Sequence, residues 1–487
     1  MRLQELAKQL KGARLIGGGS VEITGIEYDS RLIGPGMLFV AVSGFKQDGK
    51  KFIADAIKNG AAAVMADSKI DAGVPVVVVP ELRQAMADAA AEYFGYPGKK
   101  LFVIGITGTN GKSTSVYLIR MILEAAGRKV GMLNSLVYDT GEKRIKAERT
   151  TPDSVDMQRY LSDMCEALCE YASVEVSSHA LVLHRVDNID FKVGLFTNFS
   201  RDHLDFHHTM EEYLAAKKLF LSKLEGADKY AVINMDVAEF AGFTKDVKCN
   251  LVTYSVADHS VDVYVKDAEL FPDRTRFRLV TRRDEREVNF RLPGRYNLAN
   301  ATGAAAAGAA LGIDLDTIVC GLESAESVPG RFQPVNVGQP FAVIIDYAHT
   351  PDAIERLCQS AREVTKGRLM ILFGCGGDRD RGKRPLMGEA ASRFSDYAVI
   401  TSDNPRTEDP LKIIDEIKPG MVNDRYLVIP NRTEAIGEIL IKAAGGDTVL
   451  IAGKGAEDYQ EIGTKKYPYE DRTEVIKALK NLGYREG

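Results

Sequence analysis

Long apolar runs are absent. Stretches such as residues 76–79 and 341–345 are short, rich in β-branched side chains and bounded by turn residues or charge, so they read as buried strands and not as membrane-spanning helices. A basic excess is absent too: 63 Lys and Arg stand against 68 Asp and Glu, a formal net charge of -5. Such a chain has no general positive field for gripping a nucleic acid backbone, and any anionic ligand has to be held by a local cluster. Cysteine is sparse and scattered: Cys165, Cys169, Cys249, Cys320, Cys358 and Cys375, with no CxxC pair. That argues against a disulfide framework or a zinc site and predicts buried, reduced thiols in a cytosolic setting. The N-terminal stretch MRLQELAKQLKGARL carries charge throughout and lacks the uninterrupted apolar core of a signal peptide. Leu3, Leu6 and Leu10 there share one face of a short amphipathic helix. The expectation is a cytoplasmic protein with no membrane insertion and no nucleic acid partner.

What is present is a chain of 487 residues, 45% of them hydrophobic, long enough for two to four domains. Three blocks follow from the breaks in pattern. Residues 1–98 alternate short strands and helices and end in FGYPGKK; residues 99–332 open with LFVIGIT, a buried parallel strand; residues 333–487 begin after PGRFQP. The third block repeats a strand-like run followed by small or polar residues, in FAVIIDYAHTPDA, RLMILFGCGG, YAVITSDNP and DTVLIAGKG. The class is α/β, with chemistry expected at the carboxyl ends of parallel strands. The alanine-rich segment 299–310 reads as a small-residue helix that packs closely.

The strongest local motif is Gly108-Thr109-Asn110-Gly111-Lys112-Ser113-Thr114, set between a strand and a helix. Glycines let backbone N–H groups face a phosphate chain, and the helix that follows adds its positive end. Lys112 supplies a mobile cation for the outer phosphates, and the Ser113 hydroxyl is suited to Mg²⁺. The full P-loop form has glycine five positions before Gly111, where this chain has Ile106. By itself the loop says only that a nucleotide phosphate binds, and it suits a kinase or a GTPase equally.

Two further segments narrow the choice. In ASVEVSSHALVLHRV, Glu175 ends a strand-like run; in TNFSRDHLDFHH, three of the seven histidines lie beside Asp202 and Asp205. This concentration suits a cation, and Mg²⁺ prefers oxygen ligands with sparing protein contact. For His203 and Glu175 the metal role is favoured; for His207 and His208, a hydrogen-bonded loop role.

Eight motifs in fixed order then carry a resemblance: GTNGKST, EVSSHAL with HR, TNFSRDHLDFH, GRYNLAN, DYAHTPDA, FGCGGDRD, SDNPR and GKGAEDYQ. Over essentially the whole chain, from YDSR onward, the sequence resembles the Mur ligases of peptidoglycan synthesis, in particular those that add the third peptide residue. The resemblance implies an N-terminal α/β UDP-binding domain, a central parallel-sheet P-loop ATPase domain and a C-terminal Rossmann-like α/β domain. It also implies ATP and Mg²⁺ as cofactors, UDP-N-acetylmuramoyl-L-alanyl-D-glutamate and meso-diaminopimelate as substrates, and a monomer.

Residue by residue, the resemblance implies that the 108–114 loop holds ATP and that Ser113, Glu175 and His203 hold Mg²⁺. Asn297 and Asn300 match an adenine-contacting pair, and Arg331 and Asp346 match residues that reach ATP from the third block. Lys217 matches a lysine carried as a carbamate; without the resemblance, Lys217 and Lys218 read as two solvated surface lysines. Ser30, Thr150, Thr151, Ser177 and Arg185 match contacts to the sugar-nucleotide peptide. Phe45, Lys46 and Gln47 occupy a loop that relatives use at the nucleotide sugar, and Leu183 stands where some relatives have a glutamine contact.

Asp403-Asn404-Pro405-Arg406 resembles the diaminopimelate-selective form of its motif. Diaminopimelate differs from lysine by a second carboxylate, which an arginine grips through charge-assisted hydrogen bonds. Arg379, Gly453 and Glu457 match the remaining contacts to this amino acid, and Ala456 replaces a histidine usual in relatives. Read alone, DNPR is a proline turn with a surface arginine. The expected chemistry is acyl-phosphate formation followed by amide formation, with Lys112, Lys217 and His203 at its centre. A folylpolyglutamate synthase shares that chemistry, but it usually begins near its phosphate loop and lacks the first block. A regulatory module that binds the sugar nucleotide without turnover is the reading from another class.

Overall fold

The computed structural model describes residues 1–44, 48–271 and 273–485, so Phe45, Lys46 and Gln47 lie outside the described residues, as does the side chain of Asp205. Two compact units emerge: residues 1–263 with 303–321, and residues 264–302 with 322–487.

The first unit holds two sheets. In the N-terminal one, the strands run Arg14–Ile16, Val76–Val78, Ala63–Ala66, Met37–Val40, Gly25–Glu27, all parallel but the first. The helix Leu3–Gln9 buries Leu3 and Leu6 against it, as the leucine spacing dictates. Val155, from the helix Ser154–Glu166 of the next block, joins the same apolar cluster. Polar contacts add to this junction: the Tyr28 hydroxyl donates to Asp156 Oδ2 at 2.6 Å, and Arg159 bridges Glu27 at 2.9 Å and Asp156 at 2.8 Å.

In the larger sheet the strand Phe102–Thr107 lies between Tyr171–Glu175 and Phe191–Phe196, parallel to both. Val130–Leu133 pairs on the far side of Tyr171–Glu175, and Tyr230–Asn234 and Asn250–Ser255 extend the other flank. Strand order therefore reverses beside Phe102–Thr107, which places a ligand crevice at its carboxyl end. The helix Lys112–Ala125 follows, with Val116, Ile119, Ile122 and Leu123 buried. Glycines in the alanine-rich helix Arg295–Ala310 allow close packing: a Cβ on Gly303 would meet the Tyr254 ring at 2.9 Å.

The second unit carries a six-stranded sheet in the order Gln333–Pro334, Ala342–Asp346, Thr448–Ala452, Leu369–Phe373, Tyr397–Ile400, Tyr426–Val428. Only the first strand is antiparallel to its neighbour. Leu369–Phe373 is buried throughout, as a strand covered by helices on both faces must be. Three of its helices begin on side-chain caps: Thr350 accepts from Ala353 N–H, Asp409 from Leu411 N–H, and Asn431 from Glu434 N–H.

The six cysteines are free thiols, but the expectation that they are buried holds for only three. Cys320 is exposed, and Cys165 and Cys249 are half-buried at the edge of an apolar cluster. Among the described residues no helix is long and apolar enough to cross a membrane.

Candidate active site

The phosphate loop is shaped by what a side chain would hit. Gly108 has φ +150, and a Cβ there would lie 1.9 Å from Thr197 Oγ1. Gly111, at φ +81, caps the helix that begins at Lys112. Neighbouring residues bolt the loop in place. Asn198 Oδ1 accepts the Asn110 N–H at 2.8 Å, Thr197 Oγ1 donates to Asn110 O at 2.7 Å, and the Thr109 N–H donates to Asn198 O at 2.9 Å. Lys112 Nζ folds back on the loop, donating to Gly108 O at 3.0 Å and Thr109 O at 2.7 Å. An anion approaching the amides would draw that ammonium away from two neutral carbonyls at small cost.

Three strand ends meet beside the loop. Ser113 Oγ lies 2.8 Å from Ser135 Oγ, and the Ser135 N–H donates to Glu175 Oε1 at 3.0 Å. Glu175 is 1% exposed. Ser113 and Glu175 thus offer a hydroxyl and a carboxylate, hard oxygen donors of the kind Mg²⁺ takes. Among the described residues no group of three or more His, Cys, Asp or Glu could hold a metal. The donors fit an ion that draws most of its ligands from phosphate and water.

A cavity of about 230 Å³ opens next to these groups, walled by Gly108, Lys112, Thr150, Thr151, Ser177, Ser178, His179, Arg185, His203, Tyr213 and Lys217. Thr151 Oγ1 donates to Glu175 O at 2.8 Å and lies 3.1 Å from Ser177 Oγ. Arg185 Nη1 donates to Thr151 O at 3.2 Å, while its Nε stands 3.1 Å from Asp153 Oδ1 without the angle of a hydrogen bond. His203 takes a left-handed backbone, φ +54, with Nε2 3.6 Å from Asp202 Oδ2. His207 is buried and pairs with Ser178 Oγ at 2.9 Å; His208 lies on the surface. His207 is hydrogen-bonded as expected, but it closes the short helix Leu204–His207 and is not in a loop.

The surface reading of the lysine pair fails for Lys217. Its side chain is 1% exposed with Nζ 4.4 Å above the Tyr213 ring, whereas Lys218 reaches solvent and pairs with Asp246 at 2.6 Å. Burial pushes the Lys217 amine well below the ordinary lysine range; the Lys112 charge adds to this and Asp202 opposes it. A neutral amine is the nucleophilic form that carbon dioxide requires. Ser30 is buried but lies in the N-terminal sheet's loop, where Asn59 Nδ2 donates to its carbonyl at 2.8 Å; it is not in the cavity wall.

In the second unit, loops after four parallel strands enclose a pocket of about 290 Å³, walled by Tyr347, His349, residues 374–376, Arg379, Lys383, Asp403, Asn404, Arg406, Gly453, Glu457 and Tyr459. Asn404 is its hub. Its Nδ2 donates to Glu457 Oε2 at 2.8 Å, and its Oδ1 accepts from Lys454 Nζ at 3.0 Å and Glu461 N–H at 2.9 Å. Lys454 is 0% exposed and also reaches Glu457 Oε2 at 2.9 Å. Gly453 takes φ +116, a backbone that favours glycine, and a Cβ there would fall 2.6 Å from Asp403 Oδ2. Pro405 is buried outside the wall, its carbonyl 1.9 Å from where a Gly377 Cβ would be. Beneath lie two ion clusters: Arg384 with Glu408 and Glu416, which holds the Glu408 carboxyl down at about 2, and the fully buried Arg432–Asp471 pair at 2.7 Å.

Four sequence-predicted residues stand apart from this pocket within the same unit. Asn297 and Asn300 are buried near the start of the helix Arg295–Ala310, with Asn297 Nδ2 donating to Pro293 O at 2.8 Å. Asp346 accepts the Phe332 N–H at 2.7 Å and the Ala348 N–H at 2.8 Å, and Arg331 lies 5.0 Å from the Tyr347 ring centroid. Sequence reasoning missed Ser135, Thr197, Asn198, Tyr213, Lys454 and Glu461. The first three follow strand ends beside the phosphate loop and Lys454 follows the strand Thr448–Ala452, which was the available signal; Tyr213 and Glu461 had none.

Comparison with known proteins identifies the family. Three family models match in chain order: the Mur ligase family catalytic domain over residues 22–94, the Mur ligase middle domain over 106–308, and the Mur ligase glutamate ligase domain over 330–455. A UDP-N-acetylmuramoyl-L-alanyl-D-glutamate–2,6-diaminopimelate ligase of Syntrophomonas wolfei is 43% identical over 488 residues, covering 99% of each chain. The ligase of that name from Bacillus velezensis is 41% identical over 466 residues, 95% of each chain. A solved structure of a ligase with this name superposes with a TM-score of 0.71 at 32% identity, covering 99% of both chains. A MurF ligase from Thermotoga maritima in complex with ADP shares the fold, with a TM-score of 0.66 at 19% identity over 94% of this chain and 97% of its own. Identity of this degree over nearly the full length, with three family models matching in chain order, means that the chain belongs to the Mur ligase family.

Proposed function

We propose that this chain joins meso-diaminopimelate to the D-glutamate of UDP-N-acetylmuramoyl-L-alanyl-D-glutamate, at the expense of ATP, as a cytoplasmic monomer. Residues 1–98 bind the UDP sugar, 99–332 bind ATP, and 333–487 bind the amino acid. The observation that carries the specificity is the pocket at Asp403, Asn404 and Arg406, which offers a guanidinium edge and the Glu457 carboxylate to one small zwitterion.

In the first step a side-chain carboxylate oxygen of D-glutamate attacks the γ-phosphorus. A new P–O bond forms as the bond to ADP breaks, and ADP leaves with the electron pair. In the second, the neutral amine of diaminopimelate adds to the acyl carbonyl carbon. The tetrahedral adduct collapses by breaking the C–O bond to phosphate, and the nitrogen gives up its proton. Two anions must approach in the first step, so neutralisation and alignment are the chief requirements. The loop amides and Lys112 face the phosphate chain; Thr150, Thr151, Ser177 and Arg185 hold the acceptor, with Ser30 in the first block. Ser113, Glu175 and His203 would hold Mg²⁺, which when bound spreads the negative charge of the outer phosphates. Lys217, whose amine burial pushes well below the ordinary lysine range, is the residue suited to carbamylation, which turns a repelled ammonium into an anionic orienter.

The test is ADP release by the purified chain given ATP, Mg²⁺ and the muramoyl dipeptide, with diaminopimelate compared against lysine. Release that requires both dipeptide and diaminopimelate is expected. No nucleotide consumption with every component present would sink the proposal.

A further inference from the structure

Arg406 is held in an unusual way. Its backbone is left-handed, φ +50, which costs a non-glycine residue energy and persists only where surrounding contacts impose it. Those contacts come from the hairpin Tyr459–Ile462 and Lys465–Pro468. The Arg406 N–H donates to Glu461 O at 3.0 Å, and the Gly463 N–H donates to Arg406 O at 2.8 Å, so the hairpin grips the residue from both sides. Its side chain is fastened as firmly. Nε donates to Glu461 Oε2 at 2.8 Å and Nη1 to Gly377 O at 2.7 Å, with the side chains 17% and 23% exposed. Gly376 leaves room for this pose, since a Cβ there would sit 3.0 Å from Nη1.

A guanidinium has five N–H donors in one plane. Two are committed here, and Nη2 has no protein acceptor among the described residues. The uncommitted donors share the plane that Glu461 sets, and Arg406 lines the pocket. A single freely rotating arginine would attract any anion; one pinned along its Nε edge presents a fork of fixed direction, which suits a carboxylate in one position only.

We propose that Glu461 is the positioning residue that aims Arg406, so that the hairpin carrying it sets selectivity for an amino acid with a second carboxylate. This rests on the reading that Arg406 meets the distal carboxylate of diaminopimelate. Glu461 acts through Arg406 and touches no reacting atom.

The experiment uses the full chain in steady-state assays with Glu461→Ala, Glu461→Gln, Arg406→Ala and the Arg406→Ala/Glu461→Ala double variant. Glu461→Ala is expected to raise the KM for diaminopimelate roughly tenfold, the scale of one charge-assisted bond, and to narrow the preference over lysine by a similar factor. Its kcat and its KM for ATP stay within about twofold of the parent. Glu461→Gln, whose amide oxygen still accepts from Nε, recovers most of the loss. The double variant is no worse than Arg406→Ala, because the second change removes a support for a side chain already gone. Should Glu461→Ala not purify folded, Glu461→Met fills the same volume without an acceptor and replaces it. Unchanged KM for diaminopimelate, an equal rise in KM for ATP, or full additivity in the double variant would overturn the inference. If Arg406→Ala itself keeps its selectivity, the reading of Arg406 fails and the inference with it; if Arg406→Ala loses selectivity while Glu461→Ala does not, only the inference fails.

Discussion

On the proposed function the phosphate-loop cleft and the pocket around Arg406 both take negative charge, yet they are made of different material. The cleft uses backbone amides, hydroxyls and one mobile ammonium on a loop that glycine permits at φ values other residues avoid. The pocket uses side chains already paired with one another: Lys454 with Glu457, and Arg406 with Glu461. A phosphate chain is long, flexible and highly charged, and a row of N–H dipoles takes it without needing an exact angle. Telling diaminopimelate from lysine turns on one carboxylate at one place, and that needs charges with fixed directions. The phosphate loop itself is one contiguous run of sequence, whereas the pocket is built from loops after four separate strands.

This contrast can be broken at several points. The largest effect is expected for Lys112→Ala, which removes the lysine folded onto the loop and should lower ATP-dependent phosphate release on the order of a thousandfold. Near-normal turnover in a coupled ADP assay would remove the cleft's assigned role. Lys217→Ala should cost on the order of a hundredfold, as loss of a supporting group beside a metal does, and recover in part with added short carboxylic acids. Full activity without them would make Lys217 an ordinary buried amine. Arg406→Ala is expected to raise the KM for diaminopimelate at least roughly tenfold while sparing the KM for ATP; equal damage to both would mean that cleft and pocket are not distinct in what they read.

The smallest effect sharpens the electrostatics. The folded state holds the Lys217 amine below its ordinary value of 10.5, so the unfolded chain binds a proton there that the folded chain resists. Stability from this source rises with pH up to that value and is reduced below it. In carbonate-free buffer Lys217→Met should therefore have a higher denaturation midpoint than the parent at pH 7, by a margin that closes as pH approaches 10.5. A margin that stays constant with pH would refute the burial account.

Legibility in the sequence followed the same divide. The 108–114 loop, its buried strand and its amphipathic helix were readable because neighbours in sequence are neighbours in space there. The leucines of the first helix were readable for the same reason. Ser135 was not: it meets Ser113 only because Val130–Leu133 and Phe102–Thr107 flank the same strand. Lys217 and Lys218 are adjacent and chemically identical, and nothing local says that one is sealed under Tyr213 while the other pairs with Asp246 in solvent. Cys320 went the other way, onto the surface.

The sequence by itself determined the α/β class, the phosphate loop and the order of motifs that marks the family, since each depends on periodicity or on residues within a few positions of one another. Only the tertiary structure decided which charges are buried, which are paired and in which direction they point. Desolvation and hydrogen-bond angle depend on what long-range packing brings alongside, and Glu461 meets Arg406 only once the hairpin has folded against it.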